Sequence, residues 1–221
     1  MALYIDSAFL NDITLVTQTV PIAGVTTNPS ILLAARERGQ EASPQVLLDA
    51  LLRETNGLIF MQPGATVEEE MYAEALAYIE TAPKRVIPKI PMTHIGMRVA
   101  HKLKQQQHRL AFTAVTSVAQ AYNAAMVGAD FVIPYYGRLE RAGINAGQRI
   151  AEMAKLLQSV HPTTRILVAS IKSPEEAANA LLSGAHDLTV TPSVLMEMVT
   201  DPLTEDAVEK FSHDWQQLIQ R

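Results

Sequence analysis

The feature that most constrains this chain is a strand followed by a helix, repeated eight times in about 200 residues. The apolar β-rich runs are Leu3-Tyr4-Ile5, Gly24–Thr27, Leu58–Gln62, Val86–Met92, Arg109–Val115, Asp130–Tyr136, Arg165–Ile171 and Asp187–Val190. Most lack polar alternation, as expected when both faces of a parallel strand are buried. Helix signals lie between them. Asn11 or Asp12 is expected to cap a helix through about Thr19. Pro29 sits in the first turn of Ile31–Arg38, and Ser43-Pro44 opens Gln45–Glu54. Thr66 with Glu69 reads as a capping box for a helix to about Thr81, Thr93 opens one through Gln105, and Ser117 caps Val118–Val127 before Gly128. Gln148–Val160, a helix begun by Ser173-Pro174 and ending at Gly184, and Val194–Thr200 complete the series. Eight such units predict an α/β fold, a (β/α)8 TIM barrel, as one domain over residues 1–221. A doubly wound open sheet is the alternative. A surplus amphipathic helix over residues 204–220, holding Trp215, is expected to pack across the barrel or onto a neighbouring subunit.

Composition narrows the chemistry. A net charge of −5 without a basic cluster argues against a nucleic-acid partner. Lys102-Leu103-Lys104 with Arg109 reads as a solvated helix end. With no cysteine, neither a disulfide nor a thiolate site is available, which is compatible with a cytoplasmic protein. Met1–Asp6 has no basic n-region and does not read as a signal peptide. No run approaches the roughly 18 apolar residues of a membrane span. Six histidines form no ligand cluster, so neither a metal nor another cofactor is expected.

Barrels of this kind carry their active sites where the strands end. Polar residues there are Asp6, Thr26 with Asn28, Gln62, Lys89, Thr113 with Thr116, Tyr135 with Arg138, Ser170 with Lys172, and Thr191. Lys89 stands out, a lysine inside the apolar run Val86-Ile87-Pro88-Lys89-Ile90-Pro91-Met92. Burial favours the neutral amine, and neutral lysine amines form Schiff bases with carbonyl compounds. Asp6 is a candidate proton shuttle. Gln62, Thr113 and Tyr135 can position water and proton-carrying hydroxyls, and Asn28 can hold a substrate hydroxyl. Arg138 and Ser170 are candidates for an oxyanion, with the helix start after Ser170 favouring negative charge. The bland readings are a snorkelling lysine for Lys89, turn or cap roles for Asn28 and Ser170, and a surface Arg138 paired with Glu140.

Gly24-Val25-Thr26-Thr27-Asn28-Pro29-Ser30 together with Lys89-Ile90-Pro91-Met92-Thr93 closely resembles the short-chain transaldolase family, which includes the fructose-6-phosphate aldolases. The resemblance runs end to end, through Pro134-Tyr135-Tyr136-Gly137-Arg138, Ala169-Ser170-Ile171-Lys172 and Lys210–Trp215. It implies a class I enzyme on a (β/α)8 barrel, commonly a homodecamer of two pentameric rings, with the terminal helix reaching a neighbour. By this resemblance Lys89 is the Schiff-base lysine and Asp6 a proton-transfer residue. Thr26 and Asn28 contact donor and lysine, Thr113 helps hold the catalytic water, and Arg138 with Ser170 binds the terminal anion of the sugar. Gln62 and Tyr135 match the aldolase branch, where the transaldolases carry glutamate and phenylalanine. Cleavage of a fructose 6-phosphate type ketose at C3–C4 is therefore expected. The alternative is transfer of dihydroxyacetone from that sugar, or from its 6-sulfonated analogue, to an acceptor such as glyceraldehyde 3-phosphate. Pro88 before the lysine, Pro63-Gly64 after Gln62, Phe112, Thr116 and the Gly- and Asn-rich Gly137–Gln148 stretch depart from the family pattern. Another Schiff-base barrel enzyme and a non-catalytic sugar-phosphate sensor are the remaining readings.

Overall fold

The computed structural model describes residues 1–40 and 43–220. Its strands are β1 (Ala2–Asp6), β2 (Gly24–Thr26), β3 (Leu58–Met61), β4 (Val86–Pro91), β5 (Ala111–Val115), β6 (Phe131–Pro134), β7 (Arg165–Ile171) and β8 (Asp187–Val190). Each runs parallel to the next, and β8 closes on β1 through pairs such as Ala2 with Asp187 and Tyr4 with Thr189. The helices are α1 (Leu10–Thr17), α2 (Pro29–Glu37), α3 (Pro44–Glu54), α4 (Glu68–Thr81), α5 (His94–Gln105), α6 (Val118–Val127), α7 (Tyr136–Arg141), α8 (Ala146–Val160), α9 (Pro174–Leu182), α10 (Pro192–Glu197) and α11 (Pro202–Ile219). This is the closed (β/α)8 barrel with an additional C-terminal helix; the open sheet is excluded.

Strand side chains alternate between two separate apolar cores. Ile5, Val25, Ile59, Ile90, Phe112, Val132 and Val168 face the helices. Tyr4, Phe60, Ile87, Ala111, Phe131, Ile133 and Leu167 fill the barrel interior. The Phe60 ring meets Tyr4 and Phe131 edge-on at 5.3 and 5.1 Å, a favoured geometry for aromatic pairs. The base is tied by Asp187, whose carboxylate takes Arg165 Nε and Nη2 at 2.6 Å each and the Ala2 amide at 2.7 Å.

Pro88 falls where β4 changes partner. Val86, Ile87 and Pro88 pair with β3, whereas Lys89, Ile90 and Pro91 pair with β5. A residue without an N–H is tolerated best at the end of a ladder. The same handover leaves Lys89 on the interior face, two residues beyond Ile87.

Several helix starts differ from expectation. Phe9, not Asn11 or Asp12, precedes α1, and Asp12 pairs with Arg38 at 2.6 Å. The Thr66–Glu69 box does not form. Val67 stands at the N-cap of α4, where Glu68 is held by Arg98 and Lys102 and three acids fill the first turn. Ser117, Thr93 and Ser173 cap as expected, Ser117 in a full capping box. The Gly137–Gln148 stretch is not simply a loop, since α7 carries Arg138 through one helical segment. The basic run 102–109 is neutralised. Lys102 pairs with Glu68, and Lys104 and Arg109 pair with Asp130.

Helix α11 buries none of its residues, so it does not pack across its own barrel. No helix among the described residues is long and apolar enough to cross a membrane.

Gly24, at φ +150°, lets β2 lie against β3, since a Cβ there would stand 1.9 Å from the Leu58 carbonyl oxygen. Gly143, at φ +72°, has no atom within 4 Å of an added Cβ. Thermal melts are expected to separate the two. Gly143→Ala should cost about 1–2 kcal/mol of left-handed strain, and Gly24→Ala clearly more. Equal losses would contradict the close β2–β3 approach.

Candidate active site

Side chains that follow the interior core by two residues on the same strand face form the next layer up. Asp6 stands above Tyr4, Gln62 above Phe60, Lys89 above Ile87, Thr113 above Ala111 and Tyr135 above Ile133. At the strand ends they open into a cavity of 470 Å³. Asp6, Asn28, Gln62, Lys89, Tyr135, Arg138 and Ser170 all line it, joined by Lys172, Thr191 and Ala114. Thr26 and Thr113 lie just beneath, buried, and reach the cavity through the residues they bond. Thr116 is not brought in; its hydroxyl turns to Gln120 in the start of α6.

Lys89 is 1% exposed, and its amine donates to the Thr27 carbonyl at 2.7 Å. That carbonyl is held in place because the Thr27 hydroxyl is anchored to the Phe60 carbonyl at 2.9 Å and to Met61 Sδ at 3.3 Å. Burial pushes the amine below its ordinary range, and the Asp6 charge opposes this. No ion pair within 4 Å joins the two among the described residues. Burial pushes the Asp6 carboxyl up, while Lys89, the Thr26 hydrogen bond and Lys172 pull it down. The two groups are thus displaced towards each other, the arrangement expected of a proton-exchanging pair.

Thr26 Oγ1 donates to Asp6 Oδ1 at 2.6 Å and lies 2.6 Å from Thr189 Oγ1 on β8. Thr113 Oγ1 and the Tyr135 hydroxyl are 2.8 Å apart. Burial raises the Tyr135 phenol, so it remains a neutral donor. Above it the Arg138 guanidinium stacks at 4.7 Å from the ring centroid. Asn28 is both cavity wall and cap, its Oδ1 accepting from the Ile31 amide at 3.0 Å. Its bland and functional readings hold together, because one carbonyl oxygen serves the cap and the amide group remains.

Two non-glycine residues of the wall have left-handed backbone, Ala114 at φ +58° and Ser170 at φ +62°. Both mark register shifts, between Thr113 and Val115 on β5 and between Val168 and Ile171 on β7. Such strain clusters at functional sites. Ala114, the Thr27 carbonyl and Thr189 escaped the sequence reading. Neither an alanine nor a backbone carbonyl announces itself by residue type, and Thr189 reads as an ordinary β-former.

The arrangement suits carbonyl chemistry: one buried amine, one displaced carboxyl, a hydroxyl pair, and a cationic rim for an anion. The family model for transaldolase/fructose-6-phosphate aldolase matches residues 3–221. The chain belongs to this family. Its members are transaldolases or aldolases, and the chain is an enzyme of that class. Among the described residues no three His, Asp or Glu side chains stand together as a metal site.

Burying the Lys89 amine among apolar neighbours penalises its charged form and so works against the fold. Its folded-state pKa lies below the unfolded value of 10.5, so the unfolded chain binds the extra proton between the two. Stability from this group therefore rises as pH climbs through that window. Lys89→Met should remove the penalty. It should raise the melting temperature at neutral pH by a few degrees, about 1–2 kcal/mol. A lower melting temperature would show that the amine stabilises the fold.

Proposed function

We propose that this enzyme works through a Schiff base on Lys89, cleaving or forming the C3–C4 bond of a ketohexose with an anion at C6, of the fructose 6-phosphate type. The observation that carries the reading is the buried, amine-bearing Lys89 opening into the same cavity as Asp6. The neutral amine attacks the C2 carbonyl, giving a carbinolamine. Loss of its hydroxyl as water, with a proton delivered from Asp6, leaves the iminium. Asp6, now a carboxylate, takes the proton of the C4 hydroxyl. The C3–C4 electron pair then moves into the iminium, producing an enamine on Lys89 and a free aldehyde. Protonation at C3 and hydrolysis release dihydroxyacetone and restore the amine. Gln62 and the Thr113–Tyr135 hydroxyl pair hold the water for both dehydration and hydrolysis. Asn28 and Thr26 hold the donor end, and Arg138 with Ser170 binds the anion of the aldehyde half.

Aldolase activity is favoured by Tyr135, whose neutral phenol is within the cavity to protonate the enamine. The second reading is a transaldolase passing dihydroxyacetone to glyceraldehyde 3-phosphate, or one using the 6-sulfonated sugar. It is favoured by a rim holding Arg138 and Lys172 as its cations, since a sulfonate monoanion needs less positive charge than a phosphate. Borohydride reduction in the presence of substrate should add the donor mass to Lys89, read by peptide mass spectrometry; no adduct there overturns the proposal. A separate incubation without borohydride and without acceptor should release free dihydroxyacetone from an aldolase. Strict dependence on an acceptor aldehyde would favour the transaldolase.

The assembly belongs to the same proposal. Helix α11 presents Leu203, Val208, Phe211, Trp215, Leu218 and Ile219 to solvent, with Phe211 66% and Trp215 61% exposed. An apolar face of that size on an otherwise unpacked helix is suited to a second copy of the chain. The resemblance to decameric relatives supports two pentameric rings, and a phosphorylated sugar substrate accords with a cytoplasmic location. Sedimentation velocity should show an oligomer that Phe211→Lys with Trp215→Lys reduces to smaller species. An unchanged sedimentation coefficient would exclude α11 from the interface.

A further inference from the structure

Beneath Asp6 lies a hydroxyl that the steps above do not use. Thr189 is on β8, next to β1 in the closed barrel, and is fully buried at 0% exposure. Its side-chain oxygen is 2.6 Å from Thr26 Oγ1 and has no other hydrogen-bond partner among the described residues. Thr26 Oγ1 is in turn 2.6 Å from Asp6 Oδ1. Three oxygens from three strands, β8, β2 and β1, thus form one line ending on the carboxylate.

A threonine hydroxyl has one hydrogen. With Asp6 ionised, only one ordering places a hydrogen between each close pair. Thr189 gives its hydrogen to Thr26, and Thr26 gives its own to Asp6. In the reverse ordering Thr26 points at Thr189, the Thr189 hydrogen has no acceptor, and Thr26 Oγ1 faces Asp6 Oδ1 at 2.6 Å with nothing between them. That would be an unpaired donor and two repelling oxygens in a buried site. We propose that Thr189 is a positioning residue whose hydroxyl commits the single hydrogen of Thr26 to Asp6, and so fixes the orientation of that carboxylate. The proposal rests on Asp6 being the proton-transfer group.

The polarised chain does more than orient. A hydroxyl that accepts a hydrogen bond becomes a stronger donor, so Thr189 strengthens the Thr26 contact to the ionised carboxylate. The other groups facing Asp6 are Lys89 on β4, Lys172 after β7 and Tyr135 after β6. The adjoining strands β2 and β8 supply only the two hydroxyls at this level. Asp187 belongs to the opposite end of the barrel with Arg165.

The test compares wild type with Thr189→Val, nearly the same shape without the hydroxyl, and Thr189→Ser, which keeps it. Two readouts are used. The pH profile of kcat/KM for ketose cleavage should show the acidic limb of Thr189→Val moved up by about half a unit. Its kcat should fall about tenfold, part of the usual general acid–base contribution, with KM little changed. Thr189→Ser should restore both. In the resting enzyme, pH-difference infrared spectroscopy, with the Asp6 band assigned through Asp6→Asn, should show the same upward displacement of the carboxylate titration. An unmoved Asp6 titration in Thr189→Val overturns the proposal, as does a Thr189→Ser profile like that of Thr189→Val. If Val packs badly, Thr189→Ala serves in its place with the same expectations. Borohydride trapping on Lys89 separates this failure from that of the proposed mechanism. Trapping survives in wild type if only the Thr189 inference is wrong, and fails there if the Schiff-base reading is wrong.

Discussion

The bond from the Lys89 amine to the Thr27 carbonyl is the contact on which the upper half of the barrel depends. An amine this deeply buried needs an acceptor, and among the described residues no carboxylate is within ion-pair distance. A backbone carbonyl satisfies one N–H without supplying the charge that would keep the amine protonated. Desolvation therefore pushes the amine below its ordinary range, with the Asp6 charge opposing it, and favours the neutral nitrogen with its lone pair. That carbonyl is in turn fixed by the Thr27 side chain, whose hydroxyl bonds to Phe60 and Met61 of β3. Three consecutive strands, β2 to β4, thereby set the geometry of one nitrogen.

The barrel divides its work along its axis. At the base, Asp187 and Arg165 form a bidentate pair that also ties down the first amide of β1. Above it, Tyr4, Phe60 and Phe131 plug the interior with edge-on rings. Over this apolar floor the inward-pointing side chains become polar again. The floor excludes water from below, which makes each contact in the hydroxyl layer stronger and each unpaired group more costly. Such a layer tolerates little slack, and every buried side-chain polar atom among the described residues has a partner.

Function here opposes stability at identifiable places. Lys89 is desolvated, Asp6 is held above its ordinary range, and Ala114 and Ser170 adopt left-handed backbone without being glycines. All four line the same cavity. The large helix-facing core and the barrel floor offset these penalties, leaving the reactive groups in place before any substrate arrives.

Much of this was legible in the chain itself. Eight strand–helix units without polar alternation pointed to a parallel barrel ahead of an open sheet, since strands buried on both faces need helices outside and eight units suffice to close; the closure itself is seen in the pairing of β8 with β1. Lysine in an apolar run, together with the polar residues that end each strand, determined which side chains would meet, because the pleat period of two puts Asp6, Gln62, Lys89, Thr113 and Tyr135 on one face. Local signals failed where long-range partners competed. Asp12 pairs with Arg38 instead of capping a helix, and Glu68 is taken by two cations of α5 in place of the Thr66–Glu69 box. The tertiary structure alone decided the Thr27 carbonyl under the lysine, the left-handed turns at Ala114 and Ser170, and the hydroxyl line from Thr189 to Asp6. Each depends on the register between strands far apart in sequence. Register is set only when the barrel closes, and no residue type announces it beforehand.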